Sequence, residues 1–334
     1  MTIKDFVKGD LQEATELARM NYEKECEFLG GLPKAMELPD LTYFAENNLG
    51  VTAWDGSRMI GFLGTYRPVS DAFGTTNVKG CFTPIEAHGA LHGEFGISNY
   101  YNRDRIYSRL YQAAADKWVR AGIRSHAIAL YADDKEAINS FFYNGFGMRC
   151  IDAIISLKDD LEEKNIGLVE QSDLKYYEMP KEEWGELTDV HNDLISHLGA
   201  SPSFMRIPQI SREELYQRAG EDVRYFGVKY QGSYIAYLKV SDSGENFITE
   251  HPLMMNICGA FCKPDYRGTN IIHNLLRMLI ITLRNEGYLY LGVDCESFNP
   301  NARGFWMKYF NPYTYSLVRR IDEKAVDYYE IKTS

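Results

Sequence analysis

The sequence predicts an α/β (α+β) chain made of two tandem domains, and three observations predict it. The same order of strand and helix patterns occurs twice along the 334 residues. A single offset of 165 residues carries Leu110 onto Leu275, Gly122 onto Gly287, Ala137 onto Ala302 and Phe141 onto Trp306 without a gap. The composition, 45% hydrophobic and 25% charged, supplies two cores at roughly 150 residues per domain.

The first half opens with a strand over 3–7 and a helix over 11–29. Two β runs, 50–54 and 59–66, flank Asp55-Gly56, a hairpin signal. A fourth strand is expected over 79–82, then a Gly/His loop through Gly96. Tyr107, Leu110, Tyr111, Ala114, Trp118 and Ala121 recur at helical spacing, and Gly122 stops that helix. A strand over 126–132, a helix over 134–143 and a closing strand over 151–157 complete the half.

The second half repeats the order. Helices are expected over 181–198 and 212–219, and paired strands over 224–230 and 233–240 turn at Gln231-Gly232. A fourth strand covers 255–262. The long helix carries Ile272, Leu275, Leu276, Leu279, Ile280 and Leu283 and ends at Gly287, with His273 placed on its polar side. A strand over 288–296, a helix over 300–309 and a closing strand over 315–321 follow. These boundaries divide the chain into 1–157, a charged linker 158–173, and 174–334.

Lys and Arg total 36 against 47 Asp and Glu, a formal charge of −11. No basic block stands out, which argues against nucleic acid and anionic membranes as partners. The densest apolar stretch, 271–283, is too short and too interrupted to span a bilayer. The first five residues show no signal-peptide pattern. The six cysteines form no CxxC pair, so free thiols, no metal and a cytoplasmic location are expected. His88 and His92 stand four apart among glycines, with no third ligand nearby.

Two segments carry a resemblance. One is Cys262-Lys263-Pro264-Asp265-Tyr266-Arg267-Gly268-Thr269-Asn270-Ile271-Ile272, a strand end, a turn and a helix start. The other is Asn299-Pro300-Asn301-Ala302-Arg303-Gly304-Phe305-Trp306. The chain resembles the GNAT-type N-acetyltransferase superfamily, whose fourth strand leads through an R/Q-x-x-G-x-G/A turn into a long helix. The second segment looks like the family's N-x-x-A-x-x-F-Y run. The tandem arrangement is similar to that of the mycothiol synthases. The resemblance implies two GNAT-like domains, each a mainly antiparallel mixed sheet flanked by helices, with splayed fourth and fifth strands.

It also implies acetyl-CoA as the acyl-donor substrate. A pyrophosphate suits the free N–H groups of a helix start. Arg267, Gly268, Thr269, Asn270, Ile271 and Ile272 stand at that turn, with Asn270 and Ile272 where the motif has glycine and glycine or alanine. Asn tolerates left-handed angles and is the best substitute. Ala260, Phe261 and Cys262 offer a strand edge for the amide arm, and Asn299, Asn301 and Trp306 come from the second segment. The aligned first-half run, Asn102-Arg103-Asp104-Arg105-Ile106-Tyr107, has no glycine and an aspartate, so that half is expected to be degenerate in cofactor binding.

Amine acetylation needs a neutral amine. Asp294 and Glu296 alternate onto one face of the fifth strand, where the first half has Ala129 and Tyr131. The family's usual proton-donating Tyr is Trp306 here and Phe141 in the first half, which leaves Tyr309 as the phenol near the cleft. The expected function is direct acetyl transfer from acetyl-CoA to a small, possibly cationic primary amine. The alternative is a non-catalytic GNAT-fold binding or regulatory protein with residual CoA affinity. Neither the acceptor nor the oligomeric state is written in the sequence.

Overall fold

The computed structural model describes residues 1–34, 36–72, 77–92, 102–162, 164, 166–167, 174–218, 222–322 and 324. In chain order the elements are β1 (Thr2–Asp5), α1 (Leu11–Phe28), α2 (Thr42–Glu46), β2 (Val51–Asp55), β3 (Arg58–Leu63), β4 (Val69–Ser70), β5 (Lys79–Thr83), β6 (His88–Ala90), α3 (Arg103–Arg120), β7 (Ile123–Tyr131), α4 (Lys135–Tyr143) and β8 (Gly147–Ser156). They continue with β9 (Lys175–Glu178), α5 (Thr188–Gly199), α6 (Arg212–Arg218), β10 (Val223–Tyr230), β11 (Ser233–Ser241), β12 (Met254–Cys262), α7 (Ile271–Asn285), β13 (Tyr290–Glu296), α8 (Pro300–Trp306) and β14 (Asn311–Arg320).

The chain divides into two compact units. One holds Met1–Gly30, Lys34–Ile151 and Tyr313–Ser334; the other holds Gly31–Pro33 and Asp152–Pro312. In the first unit β1, β2, β3 and β6 pair antiparallel. β4 and β5 follow, with β5 parallel to β7 and β7 antiparallel to β14. The fourth strand is thus broken into β5 and β6 by a turn at Ile85–Ala87. The Gly/His run expected as a loop begins as strand β6, while 93–101 lie outside the described residues. Gly89 eases this packing: a Cβ there would meet Phe62 at 3.0 Å and the Asn21 side chain at 2.6 Å, so α1 and β3 pack close against a position with no side chain.

In the second unit the order is β9, β10, β11, β12, β13 and β8. All pairs from β9 to β12 are antiparallel, and β12 runs parallel to β13. The strand orders match position by position, which is the expected mixed, mainly antiparallel α/β fold. The sixth strand is the exception. The first unit is closed by β14, from the chain's end, and the second by β8, whose sheet contact is continued by Leu157 N–H to the Leu289 carbonyl at 2.8 Å. The division therefore differs from 1–157 and 174–334 in these closing strands. Two strands of similar length and pattern can close either sheet, so repeats exchange them at low cost.

Both long helices form as their periodicity demands. α3 buries Ile106, Tyr107, Leu110, Tyr111, Ala114 and Trp118; α7 buries Ile271, Leu275, Leu276, Leu279, Ile280 and Leu283. Gly122 and Gly287 follow their helix ends at φ +77° and +92°, left-handed angles that glycine adopts without a Cβ clash.

Candidate functional site

The β12–β13 ladder pairs Met254 with Tyr290 through Ile257 with Val293 and stops there. β12 runs on to Cys262 and β13 to Glu296. The strands splay, and Ala260 to Cys262 keep β11 on one side only. That leaves backbone groups of β12 facing a gap, able to pair with an extended amide-bearing molecule.

α7 starts beside this gap. Asn270 sits at φ +66° and Gly268 at +76°, so the turn folds back on itself and presents the helix start. The Asn270 side chain makes no cap bond, and the first turn carries no acidic residue. The first-turn N–H groups and the positive end of the helix dipole are therefore available to an anion.

A solvent-open cleft of about 1230 Å³ joins the two features. Of the residues proposed for cofactor binding, Ala260, Phe261, Cys262, Arg267, Gly268, Asn270, Ile271, Ile272, Asn299, Asn301 and Trp306 line it. Thr269 does not; its hydroxyl turns back to the Tyr266 carbonyl at 2.5 Å. Arg267 donates from Nε to the Cys262 carbonyl at 3.0 Å, and its guanidinium lies 5.2 Å from the Phe261 ring centre. Asn299 caps α8 by accepting from Ala302 N–H at 3.3 Å. Trp306 is buried, edge-on to Phe305 and Phe310, and forms a wall.

Tyr309 also lines the cleft, and with it a residue the sequence reading placed elsewhere. His273 was expected on the polar side of α7, but it is 9% exposed. Its position three before Leu276 and seven before Ile280 put it on the apolar face, a signal the sequence contained. Nε2 lies 2.7 Å from the Gly167 carbonyl and Nδ1 lies 3.0 Å from the Tyr309 hydroxyl. A carbonyl only accepts, so Nε2 carries the proton, and in the neutral ring Nδ1 accepts from the phenol. Burial raises the Tyr309 pKa. His197 of α5 and Lys308 also line the cleft and were not foreseen.

Asp294 and Glu296 stand outside this lining. Asp294 follows the last ladder residue of β13, where the strands part. Its carboxyl is pushed up to about 7, by the protein packed around it and then by Asp152, Glu245 and Glu296. The side chain keeps contact with solvent, so the neighbouring carboxylates are the firmer cause. Cys295 is buried and its thiol is pushed up to about 12, which makes it an inert packing group.

His88 is buried, bonded to the Tyr107 hydroxyl at 3.1 Å and the Ala129 carbonyl at 2.8 Å, and burial holds it down to about 4. Among the described residues no group of three or more His, Cys, Asp or Glu side chains could hold a metal ion. No helix among them is long and apolar enough to cross a membrane.

Residues 191–311 match the model of the Acetyltransferase (GNAT) family. This part of the chain belongs to the GNAT acetyltransferases. The match spans α5 to the start of β14 and includes every residue lining the cleft. No curated protein sequence matches the chain. Among solved structures, the fold is similar to that of a GCN5-related N-acetyltransferase from Sphaerobacter thermophilus. That likeness has 10% identity and a TM-score of 0.56, and covers 96% of this chain and 95% of that one, so the GNAT fold extends over both units. A tandem GNAT protein from the clavulanic acid biosynthesis pathway, solved without acetyl-CoA, is 13% identical over 96% of this chain and 98% of its own, at a TM-score of 0.46. An acetyltransferase of the GNAT family from Colwellia psychrerythraea is 12% identical over 96% and 100%, at 0.45. GNAT acetyltransferases in general draw the acyl group from acetyl-CoA and pass it to an amine.

Proposed function

We propose that this protein transfers an acetyl group directly from acetyl-CoA to a small primary amine, with the chemistry in the second unit. The observation that carries the reading is the cleft where the splayed edge of β12 meets the start of α7. The pyrophosphate sits against the first-turn N–H groups of α7, with the exposed Lys308 adding charge. The amide arm pairs with the free edge of β12, and the thioester reaches the parting of β12 and β13.

Asp294 follows the last ladder pair at that parting. With a pKa near neutrality it accepts the amine proton, directly or through water, and Glu296 and Asp152 raise its basicity. The same carboxylates favour a cationic acceptor. Tyr309 protonates the departing thiolate, its one O–H turning from His273 Nδ1 to the sulfur. A thiol of ordinary pKa leaves readily near neutral pH, so this phenol contributes modestly.

The first unit does not bind CoA in this account. Arg103 begins α3, and its guanidinium occupies the corresponding helix start, bonding Asp134 and the Ala90 carbonyl of β6. The strand group an amide arm needs is thereby taken. Six free thiols suit a reducing cytoplasm. The test is direct: incubate the protein with acetyl-CoA and panels of polyamines, amino acids, aminoglycosides and basic peptides, and measure free CoA. Amine-dependent release supports the reading. Acetyl-CoA binding without release for any amine points to the non-catalytic alternative.

A further inference from the structure

Away from their ends, β11, β12 and β13 are buried except at a few adjoining positions. β11 opens to solvent at Lys239, β12 at Cys258, Gly259 and Ala260, and β13 at Asp294. Lys239 is paired with Gly259, while Cys258 and Asp294 follow Ile257 and Val293, the last pair of the β12–β13 ladder. Side chains alternate along a strand, so Cys258 and Asp294 share the face opposite to Ile257 and Val293. The openings form one accessible patch at the parting of the strands, and the protein packed around Asp294 makes it a recess.

Two opposite charges border this recess without pairing. Gly259 brings no side chain, and Lys239 runs over it: Cβ and Cδ come within 3.3 and 3.6 Å of where a Gly259 Cβ would stand. The Cys258 thiol, 3.8 Å from the Lys239 carbonyl, lies in the field of both the Lys239 ammonium and the Asp294 carboxylate. Among the described residues Lys239 makes no ion pair, although Asp152, Glu245 and Glu296 also gather around Asp294. The Lys239 and Asp294 backbones stand two strand spacings apart, about 10 Å, with a thiol and a glycine between them. A positive and a negative pole so separated select a molecule that carries both charges.

Resting on the acetyl-transfer reading above, we infer that the acceptor is a primary α-amino acid. Its ammonium lies against Asp294, which takes the proton, and its carboxylate against the Lys239 ammonium. The amine nitrogen bonds the acetyl carbon, the C–S bond breaks and the sulfur takes the Tyr309 proton. The products are an N-acetyl amino acid and CoA, with the acceptor's carboxylate unchanged. The carboxylates of β13 draw the ammonium end, and Lys239 sets the direction of the molecule. A polyamine sets a second ammonium against Lys239, and a plain carboxylic acid offers Asp294 no cation.

Acetyl transfer by the full chain to the common primary α-amino acids, each against its own carboxamide at equal free-amine concentration, tests this. At least one amino acid exceeds its carboxamide in kcat/KM by about tenfold. Lys239→Met erases that margin, and Lys239→Arg, which keeps the charge, keeps it. Carboxamides or polyamines that match or beat every amino acid overturn the inference while leaving acetyl transfer in place. So does a margin that survives in Lys239→Met. If no amine releases CoA, the acetyl-transfer reading falls, and calorimetric titration of the CoA-loaded chain with the same pairs decides. Saturable binding of an amino acid but not its carboxamide, lost in Lys239→Met, sustains the two-charge site; its absence overturns it.

Discussion

The hydroxyl of Tyr309 donates to Nδ1 of His273 across 3.0 Å, while the far nitrogen of the same ring holds the Gly167 carbonyl. The ring keeps the phenol at one place on the cleft wall. Tyr309→Phe removes the proton donor and keeps the ring, so turnover falls by about 10²-fold or less, with little change in the KM for acetyl-CoA. Steady-state kinetics with a thiol-reporting assay reads both. His273→Asn, which frees the phenol without deleting it, lies between the wild type and Tyr309→Phe.

Asn270 occupies a left-handed backbone position at the start of α7. Asn270→Gly keeps that conformation and retains acetyl-CoA affinity within about twofold. Asn270→Val forces a β-branched residue to positive φ, which costs about 1–2 kcal/mol or shifts the turn. Affinity then drops about tenfold, a difference that equilibrium titration of the two variants resolves.

Asp294 must be ionised to accept the amine proton, and its pKa lies near 7. Acidification protonates it, so kcat/KM for the amine rises as pH climbs through about 7 and levels off above it. Asp294→Asn removes that rise and lowers the plateau. A pH–rate profile of both proteins, with the amine's own ionisation accounted for, checks the sign.

Glu25 titrates in a crowd: Lys24 and Cys26 on α1, His92, Arg103, Tyr131, Asp133, Asp134, and Tyr315 on β14. Burial first, then Asp133 and Asp134, push it from 4.5 to about 8. Below pH 4.5 folded and unfolded chains both hold the proton. Between 4.5 and 8 only the folded chain does, so stability falls as pH rises and the full penalty stands above 8. Glu25→Gln abolishes that fall. Its melting temperature exceeds the wild type's at pH 9 by an amount worth about 2–4 kcal/mol, and the gap closes towards pH 5.

Much of this was legible in the sequence. The offset of 165 that aligns Ala137 with Ala302 also aligns Asp134 with Asn299, and both cap the following helix by accepting from those alanine N–H groups. Helix period, glycine stops and the Asn270 turn are local properties, which a sequence states directly. The exchange of β8 and β14 is not local: either strand satisfies either sheet edge, and only tertiary pairing decides. The first-half turn showed its missing glycine in the sequence, but not the burial of Arg103 against Asp134, 31 residues away. Asp294 and Glu296 were read as the acid–base residues because alternation puts both on one face of the fifth strand, which fixes a face but not which cavity that face borders.

Calorimetric titration of acetyl-CoA into the wild type and Arg267→Glu tests the central claim, a single cofactor site at the cleft of the second unit. Arg267 holds the Cys262 carbonyl and borders the helix start, so reversing its charge both loosens the strand end and repels phosphate. The account predicts one acetyl-CoA per chain and a loss of about 1–2 kcal/mol in the variant. Two sites per chain, no binding at all, or an affinity untouched by Arg267→Glu would contradict it.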